Sequence, residues 1–171
     1  FIANSKNVAG RIEKFYRKTS TVVYPPVEIA QGPVGLHPRP TSSLTMLRSG
    51  ARRGAPAPAT LHPYFIAGGR IARPKHIDLI TKTFEKLNLP LKVFGRSFAN
   101  SSNDLMSQSP NIQFLGEVSD EEKIELMRNA KAFVFAAEDE DFGITPVEAM
   151  SCGTPVIAYR SGGVVESIVD S

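Results

Sequence analysis

Tryptophan is absent from these 171 residues, cysteine occurs once, and histidine occurs three times. A lone Cys152 cannot close an internal disulfide, which excludes a cystine-stapled fold and fits a reducing cytoplasm. A catalytic thiol is not indicated, because the histidines stand far off in sequence at 37, 62 and 76. No apolar run is long enough to cross a bilayer. Phe1-Ile2-Ala3-Asn4-Ser5 lacks the basic start and the length of a signal peptide. There is no initiator Met, so the chain is expected to begin inside a longer one. A G-x-G-x-x-G dinucleotide fingerprint is missing too, and Gly68-Gly69-Arg70 does not replace it.

Acidic residues are missing from the whole interval between Glu28 and Asp78, where Arg39, Arg48, Arg52, Arg53, Arg70, Arg73 and Lys75 all fall. Within it, residues 31–63 are rich in Pro, Arg, Ala, Ser and Gly and show no sustained periodicity, which marks a linker expected to be disordered. A basic arm for RNA or a membrane is the sharper alternative. It is disfavoured because the arginines are sparse and no aromatic residue is interleaved to stack on bases. The net charge of +3 is too small to imply nucleic acid.

The 171 residues as a whole are one domain's worth of chain, 42% of them hydrophobic, enough for a real core. Asn4 and Ser5 read as caps for a helix over 6–16, with Val8, Ile12, Phe15 and Tyr16 on one face, and 21–24 as a strand stopped by Pro25-Pro26. From residue 64 onward the pattern is strand–helix, repeated. Strands are expected at 64–67, 91–95, 111–116, 131–137 and 155–159, and helices over 75–87 and 119–129, the latter opened by the capping box Ser119-x-x-Glu122. A short helical piece at 104–107 and another beginning at Val164 complete the set. This alternation predicts an α/β fold, a Rossmann-like parallel sheet with helices on both faces.

The chain is organised around Glu138-Asp139-Glu140-Asp141-Phe142-Gly143-Ile144-Thr145-Pro146-Val147-Glu148. A buried strand ends in an acidic cluster and a glycine turn, and a helix is expected to start near Thr145 and Pro146 and to stop at Gly153. Ligands of open α/β sheets bind outside the carboxyl ends of the strands. Backbone N–H groups there suit an anion, and carboxylates suit hydroxyls. Glu140 at the mouth of the turn and Glu148 one turn inside the helix can address different parts of one ligand. Two glutamates at this spacing are more often solvated surface charge, and on spacing alone that would decide the matter. Asp139-x-Asp141 could hold a divalent ion with a diphosphate, but Arg70 and Lys75 would already serve the phosphates. No metal and no cofactor is expected. Gly68-Gly69-Arg70 with Lys75 five residues on, after a strand and before a helix, provides close backbone approach and two cations for a diphosphate.

E-x7-E with an internal Phe-Gly, followed by P-V-E-A-M-x-C-G-T-P-V-I-A, resembles the C-terminal nucleotide-sugar-binding domain of family 4 (group 1) glycosyltransferases of the GT-B fold. The resemblance extends to G-R-x4-K at Arg70 and Lys75 and to the Asn-Ser-helix-strand-Tyr-Pro-Pro entry. It covers most of residues 1–30 and 63–171, about half of a complete enzyme. It implies that Glu140 contacts the donor sugar and Glu148 the ribose hydroxyls. Gly69, Arg70 and Lys75 would hold the diphosphate, and the turn Gly116-Glu117-Val118-Ser119 the nucleobase edge through main-chain groups at Gly116 and Val118. Phe142, Gly143 and Ile144 would complete the donor loop, with Arg70, Lys75 and Glu140 acting in catalysis. The domains expected are 1–30 as entry, 31–63 as linker and 64–171 as a nucleotide-sugar-binding domain truncated at its C-terminus. The implied activity is sugar transfer, commonly with retention, from a nucleotide diphosphate sugar to an unknown acceptor held by a missing N-terminal domain. The isolated fragment would be inactive. The implied setting is cytoplasmic, extending to the inner face of a membrane, with peripheral association arising only through a missing region and no nucleic-acid partner. A non-catalytic nucleotide-sugar-binding module is the alternative.

Overall fold

Successive side chains of a strand point to opposite faces, and residues 64–67 show how completely this chain uses both. Phe65 and Ala67 pack on one side with Leu91, Val93 and Ile112, whereas Tyr64 and Ile66 pack on the other with Phe133, Phe135 and Met127. The structure, a computed structural model, describes residues 1–27, 64–69, 73–96 and 109–169. Expectations for 31–63 and 104–107 lie outside the described residues.

Elements are numbered here in chain order. The main sheet consists of β3 (Phe65–Gly68), β4 (Leu91–Phe94), β5 (Ile112–Gly116), β6 (Phe133–Phe135) and β7 (Val156–Ala158). All pairings are parallel, in the order β5-β4-β3-β6-β7. Helix α2 (Ile77–Leu87) buries Ile77, Ile80 and Phe84, and covers the face carrying Ala67 and Val93. Helices α3 (Asp120–Arg128) and α4 (Ile144–Ser151) cover the opposite face, through Met127 and Ala149. Helices on both faces of a parallel sheet are the arrangement the alternation predicts.

Helix α3 is fixed at both ends. Ser119 Oγ accepts from the Glu122 amide at 3.2 Å, and the Glu122 carboxylate accepts from the Ser119 amide at 3.0 Å, which completes the capping box. At the other end the carbonyls of the last turn have no helical donors. There the Tyr64 hydroxyl donates to the Leu126 carbonyl at 2.9 Å and the Thr154 hydroxyl to that of Met127 at 2.6 Å. The residues leading into β3 and β7 thus hold the C-terminal end of α3. Phe133 is fully buried at the centre, where Phe135 stacks on it with centroids 6.2 Å apart. Phe133→Ala is expected to cost about 3–5 kcal/mol, read as the shift in a denaturant midpoint.

Residues 1–27 form a separate parallel pair, β1 (Ile2–Ala3) and β2 (Thr21–Val22), joined by α1 (Lys6–Tyr16). Ser5 caps α1 by accepting from the Val8 amide at 3.0 Å. Two further first-turn amides, of Lys6 and Asn7, donate to Glu166 at 2.9 Å each, and the Tyr24 hydroxyl donates to the same carboxylate at 3.0 Å. A carboxylate from the far end of the chain therefore completes the cap and offsets the positive end of the helix dipole. Partial burial works against the charge on Glu166, but the two amides and the Tyr24 hydroxyl outweigh it, and its pKa falls below the ordinary 4.5. A depressed carboxylate stabilises fully above its unfolded value and loses that contribution as pH falls through the folded one. Glu166→Gln is expected to destabilise by about 1 kcal/mol at pH 7, in the range of a lost cap. The gap between the melting temperatures of variant and parent should close as the pH drops below 4.5.

Several local expectations need correction. Helix 75–87 is interrupted: a 3-10 turn spans Arg73–Lys75, His76 adopts φ 49°, and the α-helix begins at Ile77. Helix α4 starts at Ile144 with Gly143 as its cap at φ 85°, so Thr145 and Pro146 lie inside its first turn. A glycine able to adopt the left-handed region displaced threonine from the capping position. The segment at Val164 is a 3-10 turn, Gly162–Glu166, and β2 ends at Val22. On α1, Val8 and Ile12 are half-buried, but Phe15 and Tyr16 are about two-thirds exposed.

Candidate functional site

Parallel strands put all their carboxyl ends on one edge, and the loops leaving β3, β4, β5 and β6 meet there. Gly69, after β3, and Gly95, after β4, come into direct backbone contact. The Gly69 amide donates to the Phe94 carbonyl at 3.2 Å, and a Cβ on Gly95 would stand 1.7 Å from the Gly69 oxygen. Next to it the Gly95 amide donates to the Gly116 carbonyl at 2.7 Å, which ties in the end of β5.

The acidic loop after β6 is held through its main chain. The Glu138 amide donates to the Pro74 carbonyl at 3.1 Å and the Asp139 amide to Ser161 Oγ at 3.1 Å. The Glu140 carbonyl accepts from the Gly163 amide at 2.7 Å and, at 3.5 Å, from Asn7 Nδ2. Phe142 is buried, its ring tilted against Tyr24 at 5.8 Å. Arg11 meets Asp141 at 2.9 Å, an exposed pair worth under about 1 kcal/mol. Because Pro74 is bonded to this loop, Lys75 arrives beside Glu140 and forms an ion pair with it, both side chains mostly buried. The Lys75 ammonium also lies 4.9 Å from the Phe135 ring centroid.

Glu148, one turn into α4, projects into a cleft of about 390 Å³ lined by Gly69, Gly95, Arg96, Glu117, Val118, Lys123 and Thr145 among others. Its Oε1 accepts from Lys123 Nζ at 3.1 Å, and Lys123 also meets Asp120 at 2.9 Å. Arg96 and Glu117 form a forked pair at 2.8–3.1 Å on the rim. Helix α4 points its N-terminus at this edge, and among the described residues no side chain caps it.

The expected site residues thus fall into two adjoining groups. Gly69, Val118 and Glu148 line one cleft, and Lys75 pairs with Glu140 beside it. Phe142, Gly143 and Ile144 form the connection between the two glutamates and do not line that cleft. Gly116, at φ 72°, sets the turn and gives its carbonyl to Gly95. Arg70 lies outside the described residues. Among the described residues there is no group of three or more His, Cys, Asp and Glu suited to a metal, and Asp141 of the D-x-D pairs with Arg11.

Residues 53–171 match the family model described as Glycosyl transferases group 1. The chain belongs to the group 1 glycosyl transferases. Among curated relatives it is 33% identical over 123 residues to the alpha-1,3/1,6-mannosyltransferase ALG2 of Kluyveromyces lactis, an overlap of 65% of this chain and 24% of that protein. It is 30% identical over 120 residues to the mannosylfructose-phosphate synthase of Agrobacterium fabrum, covering 60% of this chain and 26% of that one. The chain therefore spans about a quarter of the length of these relatives. Among solved structures, TarM of S. aureus in complex with UDP superposes with a TM-score of 0.70 at 17% identity, covering 99% of this chain and 31% of that one. WaaG, a glycosyltransferase involved in lipopolysaccharide biosynthesis, gives 0.68 at 16%, covering 97% and 45%. These neighbours are GT-B glycosyltransferases, and the α/β sheet of this chain is of that fold.

Sequence reasoning missed Lys123, Thr145, Arg96, Asn7 and Glu166. Lys123 left a signal: it falls with Ile124 and Met127 on the face of α3 that turns inward, where a cation needs a partner. Glu166 left none, since its partners are two backbone amides and a tyrosine hydroxyl at the other end of the chain. Gly163 is a further hidden constraint, because a Cβ there would sit 2.1 Å from the Asp141 carbonyl oxygen. Gly163→Ala is expected to displace the acidic loop and to cost about 1–3 kcal/mol, as overpacking does. Faster protease cleavage within 138–142 at unchanged far-ultraviolet circular dichroism would register that displacement.

Proposed function

We propose that this chain is the donor-binding half of a family 4 glycosyltransferase, its C-terminal domain, moving a hexosyl group of mannosyl type from a nucleotide diphosphate sugar to an acceptor held by an N-terminal domain. The observation that carries this is the placement of Glu140 and Glu148. One sits at a strand end beside a lysine, and the other in a cleft of about 390 Å³ at the C-terminal edge of a parallel sheet. The cleft suits a nucleoside: Glu148 offers carboxylate oxygens to the ribose diol, and Val118 brings main-chain groups of the turn after β5 to a base edge. The diphosphate would meet Gly69, the amides at the start of α4, which no side chain among the described residues caps, and Lys75, which pairs with Glu140. Arg70 joins this set from the sequence resemblance alone.

In this arrangement the domain works by positioning and electrostatics. Lys75 offsets charge that develops on the departing diphosphate, and Glu140 holds the sugar hydroxyls and fixes the anomeric carbon toward the acceptor. Lys75 and Glu140 are each other's partner, so each would give up an ion pair on binding the donor and gain a substrate contact. The relatives, an alpha-1,3/1,6-mannosyltransferase and a mannosylfructose-phosphate synthase, favour the mannosyl assignment. TarM with UDP favours a nucleotide ligand at this fold.

The two glutamates separate by ligand. Glu148→Gln is expected to weaken a nucleoside diphosphate and its sugar conjugate alike, by roughly tenfold or more, the worth of a charged hydrogen bond. Glu140→Gln is expected to weaken only the sugar conjugate. Calorimetry with UDP, GDP and ADP and their hexose conjugates reads both, and parental affinity of both variants for both ligands would refute the assignment.

A further inference from the structure

Lys123 is the feature of the cleft that the donor-binding scheme leaves unused. It is held from two sides, by Asp120 at 2.9 Å one turn back on α3 and by Glu148 Oε1 at 3.1 Å across on α4. Its side chain is 21% exposed and that of Glu148 26%, so neither is freely solvated. Burial opposes the charge on Lys123, but hydrogen bonds to Asp120 and Glu148 outweigh it and raise its pKa. It therefore stays an ammonium throughout the neutral range.

Helix α3 is itself immobilised by the capping box and by the Tyr64 and Thr154 bonds at its far end. Glu148, in contrast, carries a long side chain with several rotatable bonds. Helix α4 has no basic residue in its last turn to restrain that side chain. A carboxylate oxygen has two lone pairs, and Lys123 takes one from Oε1. Among the described residues Oε2 and the remaining lone pair of Oε1 have no other partner, and the bond to the lysine restricts the directions they can face.

We propose that Lys123 is the positioning residue for nucleoside recognition, holding the Glu148 carboxylate in the orientation that selects a ribose over a 2′-deoxyribose. This rests on the ribose role given to Glu148 above. Lys123 touches Glu148 and not the ligand, so its removal acts through sugar discrimination and not on the affinity for diphosphate as such. A lysine that merely braced α3 against α4 would change stability and leave that discrimination where it was.

The test uses the 171-residue chain and whichever of UDP, GDP and ADP it binds best by calorimetry, with the 2′-deoxy counterpart of that nucleotide. The parent should prefer the ribonucleotide by about tenfold, the worth of one hydrogen bond to a charged group. Lys123→Met should reduce that preference to within about twofold, mainly by weakening the ribonucleotide, as expected for contacting residues that couple. Lys123→Arg should restore most of it, since a cation again reaches Glu148. Should Lys123→Met melt below the assay temperature, Lys123→Gln takes its place. If the preference survives in Lys123→Met while Glu148→Gln abolishes it, the Lys123 proposal is overturned and the ribose role stands. If Glu148→Gln keeps the parental preference, or no nucleotide binds the parent, the ribose role fails and the proposal falls with it.

Discussion

The backbone of the loop 138–142 is the constraint from which the site follows. Its amides and carbonyls are bonded to three separate parts of the chain, at Pro74, at the turn 161–163 and at the Asn7 side chain of α1. With these bonds made, the loop can take few shapes once those three segments are in place. Glu140 gets its position from this scaffold and not from its own side chain. The same bonds bring Lys75 to it, and the glycine at 143 then turns the chain directly into α4 and its Glu148. Displacing any one of the three anchors moves both glutamates together.

Each of the two glutamates is matched by a cation, Glu140 by Lys75 and Glu148 by Lys123. Half-buried carboxylates without partners would bear a desolvation cost, and pairing offsets it. The two pairs differ in what holds the cation. Lys123 is tied to Asp120 as well, on a helix capped at both ends, so it can support Glu148 while a ligand binds. Lys75 sits on a short 3-10 turn beside a left-handed His76. Under the proposed function Lys75 would exchange its carboxylate for a phosphate while Lys123 would stay as a support, although both look alike as ion pairs.

Much of this was legible in the residues. The strand alternation gave both core faces, as Phe65 and Ala67 against Tyr64 and Ile66 show, and Ser119-x-x-Glu122 announced its helix correctly. Glu148 could be placed at the carboxyl edge of the sheet because a helix following a parallel strand must begin there. The failures were of another kind. His76 and Gly143 adopt left-handed backbone that broke or capped helices where propensity alone extended them or offered Thr145. Phe15 and Tyr16 followed helical periodicity, yet nothing among the described residues covers them. Lys123 and Glu166 act across the fold, and local spacing carries no record of distant partners.

Glu166 shows how the two ends of the chain are coupled to the site. It caps α1, and through α1 it fixes Asn7 and Arg11, which bond the Glu140 carbonyl and the Asp141 carboxylate. The Gly162–Glu166 turn that carries it also supplies the Gly163 amide to the same Glu140 carbonyl. The acidic loop is therefore gripped from below by the turn and from the side by α1, and the turn grips α1 in its own right. Three elements share three contacts in a closed circuit, so loosening the helix cap would free one bond to the loop directly and weaken the others through the turn. The exposed Arg11–Asp141 pair contributes little energy by itself. Its importance is geometric, because it reports whether α1 still stands against the residues that carry Glu140.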